Sequence, residues 1–299
     1  MSNETIVTGP ILVTAKKEKT KSYKQWLTLA PVIFLFLLFF FYPLYEVLVR
    51  SITFPEVGMQ NFAWLFEEQV NMTVLIRTFQ TSFWVTVICL LFAYPYTYFL
   101  TTLSGKAKAV LFTIVLIPFW TSGVIRTFAW VILLQDSGPL GDFFRMFGVE
   151  SLGVLRTNTA VFIGMAQVLL PFFILPLYAN LSKIDLRLLT AAQSLGARPS
   201  RAFFKVYLPL SFPGIAAGSI LTFVLALGFY ITPAMLGSPR EALLSTLIQG
   251  KLEGHLQWGQ VAVLSLLLLV STMLILLIAG MISKRTSMKV SDMIGGSKA

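Results

Sequence analysis

The side chains able to do chemistry in this 299-residue chain lie within apolar sequence, and they are of types that bind rather than react. The stretch IPFWTSGVIRTFAW carries Phe119, Trp120, Thr121, Ser122, Arg126 and Trp130 in one apolar run. Gln167 falls in a second run, and Tyr230 and Thr232 belong to ALGFYITPAMLG in a third. Rings, hydroxyls, an amide and one guanidinium supply hydrogen bonds and cation–π contact, the latter worth roughly 0.5–2 kcal/mol. Arg126 is the costly member, because an Arg at mid-membrane depth costs about 2.5–3.5 kcal/mol on insertion scales. Two readings fit it. Either it lines or gates a path together with the neighbouring aromatics, or it snorkels outward or pairs with Glu46 or Asp136. Trp120 and Trp130 also suit an interfacial aromatic belt, Trp130 the more so. Pro118, Pro171, Pro176 and Pro233 are expected to interrupt helices near these points. Such breaks must face protein or a cavity, since lipid cannot satisfy freed backbone groups.

Reactive constellations are missing. No GxxxxGK[ST] phosphate loop occurs: Gly105-Lys106 lacks the earlier Gly, and Gly250-Lys251 is followed by Leu252. If ATP drives this protein, another chain binds it. One histidine, His255, and one cysteine, Cys89, form no metal site or nucleophilic dyad. No catalytic, cofactor or metal residue is assigned. No Asp or Glu falls at the middle of an apolar run, which argues against the intramembrane relay of a proton-coupled carrier. A sodium-driven carrier using backbone carbonyls stays open.

The elements that must hold these residues are membrane helices. The chain is 56% hydrophobic and only 12% charged, and soluble proteins carry about twice that charge fraction. Runs long enough to cross about 30 Å of hydrocarbon fall near 27–49, 74–101, 109–134, 159–181, 208–236 and 261–283. The fold class is therefore all-α and polytopic, with about six transmembrane helices across 26–283. With the N-terminus cytoplasmic, sixteen of the 23 Lys and Arg fall on the cytoplasmic side. That bias predicts cytoplasmic tails at 1–25 and 284–299. It also accounts for most of the net charge of +10, so nucleic acid is not an implied partner. The first run is too long for a signal peptide and has no small-residue cleavage site after it.

One polar, basic segment separates the fourth and fifth runs. In LTAAQSLGARPSRAFFKVYLP, Ile184 just upstream, Leu188, Ala191 or Ala192, and Leu195 recur at helical spacing and are expected on one face. Gly196 suits a left-handed helix end and Pro199 a helix start, which predicts a helix–turn–helix over about 184–205.

At these residues the chain resembles the permease subunits of ATP-binding-cassette (ABC) importers. Their "EAA" loop reads Glu-Ala-Ala, three residues, Gly, nine residues, an aliphatic residue, any residue, then Leu-Pro. Ala191, Ala192, Gly196, Val206, Leu208 and Pro209 match in register, and Thr190 stands in place of the Glu. An ion pair through that carboxylate is thus lost, while the helix–turn–helix shape does not depend on it. The resemblance implies that Thr190, Ala191, Ala192, Gly196, Arg198 and Pro209 couple the chain to an ATPase subunit. IPFWTSGVIRTFAWVILLQDSGPLG and LPLSFPGIAAGSILTFVLALGFYITPAMLG narrow the likeness to the spermidine/putrescine-type importers, over about residues 26–283. Gly228-Phe229-Tyr230 departs from the Gly-Asp-Phe common in polyamine permeases, so the carboxylate that would suit a polycation is missing.

What the resemblance implies is a non-catalytic permease in a bacterial inner membrane. It would move a small organic solute, a polyamine or related amino compound. Its implied partners are ATPase subunits carrying ATP and magnesium, a second homologous permease, a periplasmic or lipid-anchored binding protein that largely selects the solute, and the bilayer. The competing reading is an ion-gradient-driven carrier without an ATPase, which leaves the Gly and Leu-Pro spacing unexplained. A purely structural membrane protein would have no reason to keep broken helices and Arg126.

Overall fold

The structure, a computed structural model, describes residues 22–295. Regular structure among them is helical throughout: α1 (Ser22–Thr53), α2 (Gln60–Glu67), α3 (Gln69–Thr102), α4 (Gly105–Leu116), α5 (Gly123–Leu134), α6 (Pro139–Arg145), α7 (Asn158–Leu181), α8 (Arg187–Ser194), α9 (Pro199–Ala202), α10 (Leu208–Leu227), α11 (Ile231–Leu236), α12 (Leu244–His255) and α13 (Trp258–Gly295). Among the described residues five helices are long and apolar enough to cross a membrane, or six if the bent pair Gly105–Trp120 and Gly123–Arg145 is one broken span.

The chain divides into two compact units, Met1–Glu46 and Val47–Ala299. The described part of the first is the leading portion of α1. Phe34, Phe36 and Phe39 are all exposed, as are the residues between them. A helix apolar on every side and unburied has the character of a lipid-facing span.

The second unit is built around α7. Met165, Leu169, Phe173, Leu177 and Leu181 are fully buried between α3 and α10. Sequence spacing explains the close approach: GIAAG in α10 puts Gly214 and Gly218 four residues apart, on one face. A β-carbon at Gly214 would come within 2.7 Å of the Asn180 β-carbon, and one at Gly218 within 2.9 Å of the Phe173 ring. The α10 backbone therefore lies directly on α7 side chains.

Three expectations from sequence are corrected. The run 109–134 is not one continuous helix: α4 passes through a 3₁₀ turn at Ile117–Trp120, and the chain bends by 99° before α5. Pro118 lacks an N–H and its ring opposes the carbonyl four residues back. Thr121 then turns extended, with both its N–H and its hydroxyl donating to the Pro118 carbonyl. The run 208–236 also divides, because α10 ends at Leu227 and α11 begins at Ile231. The freed Phe229 carbonyl is satisfied by the Ser245 hydroxyl of α12 at 2.7 Å. Conversely, Pro171 and Pro176 do not interrupt anything, since α7 is continuous through both.

The N-terminal tail expected at 1–25 lies outside the described residues up to position 21, and α1 begins at Ser22. Of the expected C-terminal tail, 296–299 lie outside them, and α13 runs through to Gly295.

Candidate functional site

Two places bring together residues singled out from sequence. The first is the bend after α4. The break, α7 and the junction of α10 with α11 enclose a cavity of about 300 Å3, lined by Pro118, Phe119, Gly123, Arg126, Phe172 and Phe229 among others. Its wall is apolar except for the guanidinium. The Phe119 ring packs 5.0 Å from Phe172, which holds the bend against α7. Arg126 is half-buried, and its Nε is out of contact with solvent and without a hydrogen-bond partner. Of the two carboxylates considered for it, that of Asp136 accepts instead from the backbone N–H groups of Leu152 and Gly153 at 2.9 and 3.2 Å.

The other residues of this group separate. Trp120 (79% exposed), Thr121 and Tyr230 lie on the outside of the breaks. Gln167 is half-buried on α7, with its Oε1 shielded and unpaired. Thr232 is fully buried and shares a 3.2 Å hydrogen bond with Thr127 of α5, which staples α11 to the second half of the broken span. The structure thus gathers Phe119 and Arg126 at one cavity, and gives Thr232 a packing contact.

The second place is the segment between α7 and α10. The Asp185 carboxylate accepts from the Arg187 N–H at 2.9 Å as α8 starts. At the other end Gly196 takes φ +86°. Its N–H donates to the Gln193 carbonyl, and the Ala197 N–H to that of Ala192. This six-to-one and five-to-two pair is the Schellman closure, which needs a left-handed residue at the position of Gly196. Pro199 opens α9 with Arg198 as its extended N-cap.

The apolar face is not the one expected. Ile184 and Leu189 pack on the core, whereas Leu188 and Leu195 point away from it, Leu195 being 90% exposed. Thr190, Ala191, Gly196 and Arg198 are exposed too, and Ala192 and Pro209 are half-buried. Leu188 and Leu195 therefore face outward, on the same segment as the exposed Arg198 and Arg201.

Sequence reading missed the residues that anchor this segment. Between α9 and α10 the chain makes a π turn, Phe203–Tyr207, closed by the Leu208 N–H donating to the Phe203 carbonyl. Phe203 and Tyr207 pack edge-on against Tyr98 of α3 at 5.5 and 5.1 Å, and Phe203 against Tyr94 at 6.2 Å. The signal in sequence was Pro209 itself, together with Tyr94 and Tyr98 at helical spacing.

The family model described as "binding-protein-dependent transport system inner membrane component" matches residues 99–288. The chain is 32% identical over 236 residues to the spermidine/putrescine transport system permease protein PotB of Salmonella typhimurium (strain SL1344), covering 78% of this chain and 82% of that protein. It is 36% identical over 200 residues to the protein of the same name from Haemophilus influenzae, covering 66% and 69%. Among solved structures, it superposes on a chain of a bacterial alginate ABC transporter in complex with an alginate pentasaccharide-bound periplasmic protein. The TM-score is 0.70 at 20% identity, over 88% of this chain and 94% of that one. It also superposes on a chain of the MetNI methionine ABC transporter in an inward-facing form, with TM-score 0.53, 19% identity, and coverage of 73% and 99%. At these identities the structural likeness is one of fold.

Proposed function

Because the chain belongs to the family of binding-protein-dependent transport system inner membrane components, and so is a multi-pass permease subunit of an ABC importer, we propose that it carries a polyamine or related amino compound, driven by ATP that separate subunits hydrolyse. The ion-gradient carrier gives way to this reading. In it, ATP and magnesium stay on the ATPase, a second homologous permease completes the path, and a periplasmic or lipid-anchored protein delivers the solute. Both termini of this chain lie in the cytoplasm. The relatives named for spermidine and putrescine support the solute class.

The observation that carries the coupling half is the Schellman-closed segment with its outward ridge at Leu188 and Leu195. The segment docks on the ATPase, and closure of the ATPase dimer moves it. Thr190, Ala191, Ala192, Gly196, Arg198 and Pro209 form or aim the docking surface. Phe119 and Arg126 line part of the path, with Trp120, Thr121, Gln167, Tyr230 and Thr232 at or beside its breaks.

One observation favours a narrower substrate. The cavity holds a guanidinium, and Asp and Glu are absent from its lining. An amino compound that also bears a carboxylate or phosphonate fits it better than a bare polycation, whose charge Arg126 would oppose.

The test is to purify the tagged chain from native membranes and identify its companions by mass spectrometry. A nucleotide-binding ATPase and a second permease are the expected result. A chain that purifies alone and transports under an ion gradient without ATP would overturn the reading. Gly196→Val sharpens it. Open space surrounds Gly196, so Val meets no clash there, yet a β-branched residue resists φ > 0 at about 1–2 kcal/mol. The variant should insert normally and lose ATPase association or ATP-driven uptake, as read by co-purification and uptake. Wild-type uptake would sink the coupling role.

A further inference from the structure

We infer that Pro209 and the aromatic cluster beneath it form a joint that transmits movement of the 184–202 segment chiefly to α3 rather than straight along α10. The inference rests on the coupling reading above and deepens it by naming the receiving helix.

The starting observation is covalent. In an unbroken α-helix the residue at 209 would donate to the carbonyl of Lys205, but proline has no N–H and its ring crowds that carbonyl. The chain answers with a π turn over Phe203–Tyr207, closed by the Leu208 N–H reaching back five residues to Phe203. A π turn inserts one extra residue, so everything N-terminal to it is rotated about the α10 axis relative to an α-helical continuation. The Leu-Pro of the sequence pattern is therefore what sets the angle between the α8–α9 segment and α10.

That rotation delivers Phe203 and Tyr207 to α3. Phe203 and Tyr207 stack on each other at 5.6 Å and meet Tyr98 edge-on. The hydroxyls give direction as well as contact. The Ser211 hydroxyl donates to the Tyr207 carbonyl, so Tyr94 donates to Ser211 at 3.1 Å. Edge-to-face aromatic packing is directional, and Tyr207 is fully buried. A push on the segment thus cannot slide past α3.

From this joint α3 runs unbroken to its other end, where the Leu244 N–H donates to the Thr78 hydroxyl at 2.8 Å and Arg77 donates to the Ala242 carbonyl at 3.3 Å. Between Tyr98 and Thr78 lie about 30 Å of helix. One helix therefore links the coupling segment to the loop beside α11 and α12 at the opposite end.

The experiment uses the whole complex in proteoliposomes, reading solute uptake per ATP hydrolysed for Phe203→Leu, Tyr98→Phe and Pro209→Ala. Couplings between sites commonly span 5–150-fold, and the expected loss in uptake per ATP is about tenfold for Phe203→Leu and for Pro209→Ala. ATPase subunits should still co-purify with Phe203→Leu, and ATP should still be hydrolysed. Tyr98→Phe keeps the rings and should keep the wild-type ratio. Pro209→Ala guards against misfolding, since it adds a backbone donor and removes no packing ring. Wild-type ratios for both Phe203→Leu and Pro209→Ala would overturn the joint while leaving the coupling segment in place. Failure of the underlying reading shows separately, as a wild-type chain that does not retain an ATPase at all.

Discussion

The broken span around Pro118 and the central helix α7 hold the same helix-breaking residue and take opposite courses. α7 carries two prolines, Pro171 and Pro176, and stays continuous. The other carries Pro118 and bends by 99°. Proline removes one backbone bond in each case, so the residue alone does not decide. Surroundings do. α7 is largely buried, and contacts with α3 and α10 keep the helix continuous at the cost of the lost bonds. Around Pro118 the following residues are Phe119, Trp120, Thr121, Ser122 and Gly123, with Trp120 and Thr121 exposed. Packing there is thin, and Thr121 can cap the turn at once. A continuous buried helix thus stands beside a bent, cavity-lining element.

The contrast is breakable at several points. The largest effect is expected at Gly218→Leu, which drives a side chain into the Phe173 ring and carbonyl. Overpacking of this kind costs about 1–3 kcal/mol, and the purified complex should melt early or fail to assemble, as thermal denaturation in detergent would show. Next comes Pro118→Ala, which removes the roughly 3 kcal/mol proline penalty in a helix interior. The helix should extend through the bend, and uptake should fall about tenfold. Pro171→Ala in the already continuous α7 should leave uptake nearly unchanged and gain about 0.5–1.5 kcal/mol in melting from the restored bond. If both proline variants transport alike, the bend has no functional role.

Arg126→Gln tests the cavity wall. Membrane levels should hold or rise, because the charge's share of the insertion cost is relieved, while the uptake rate drops several-fold. Equal uptake would mark the guanidinium as a snorkelling group. The smallest effect belongs to Gly123→Ala at the start of α5. Nothing lies within 4 Å of the added β-carbon, so the substitution should stabilise by about 0.4–1 kcal/mol through the unfolded chain. A loss in melting temperature instead would mean the bend needs the freedom of Gly123.

How much of this was legible in the chain depends on the range of the interaction. The six apolar runs, the Schellman glycine and the helix start at Pro199 were readable because each is a local rule of hydropathy or backbone conformation. Gly196 needed no neighbour to explain it, only its φ. Helical spacing puts Ile184, Leu188 and Leu195 on one face, whereas Ile184 and Leu189 pack on the core and Leu188 and Leu195 are exposed. Eight residues of a short helix have two plausible apolar stripes, and packing on the core chooses between them. Thr232 stands out in the sequence because it is polar in an apolar run. Its partner Thr127 lies 105 residues away and could not be paired without the fold.

The sequence by itself determined the membrane class, the polar helix–turn–helix between two apolar runs, and the positions where a helix is permitted to fail. Hydropathy, glycine and proline act within one or two turns, so no neighbour has to be known. Only the tertiary structure decided which of the permitted breaks occur, which face of α8 is buried, and that Phe203 and Tyr207 seat on α3. Those outcomes turn on packing between helices distant in sequence, where a few buried rings and close glycine contacts outweigh what any single residue prefers.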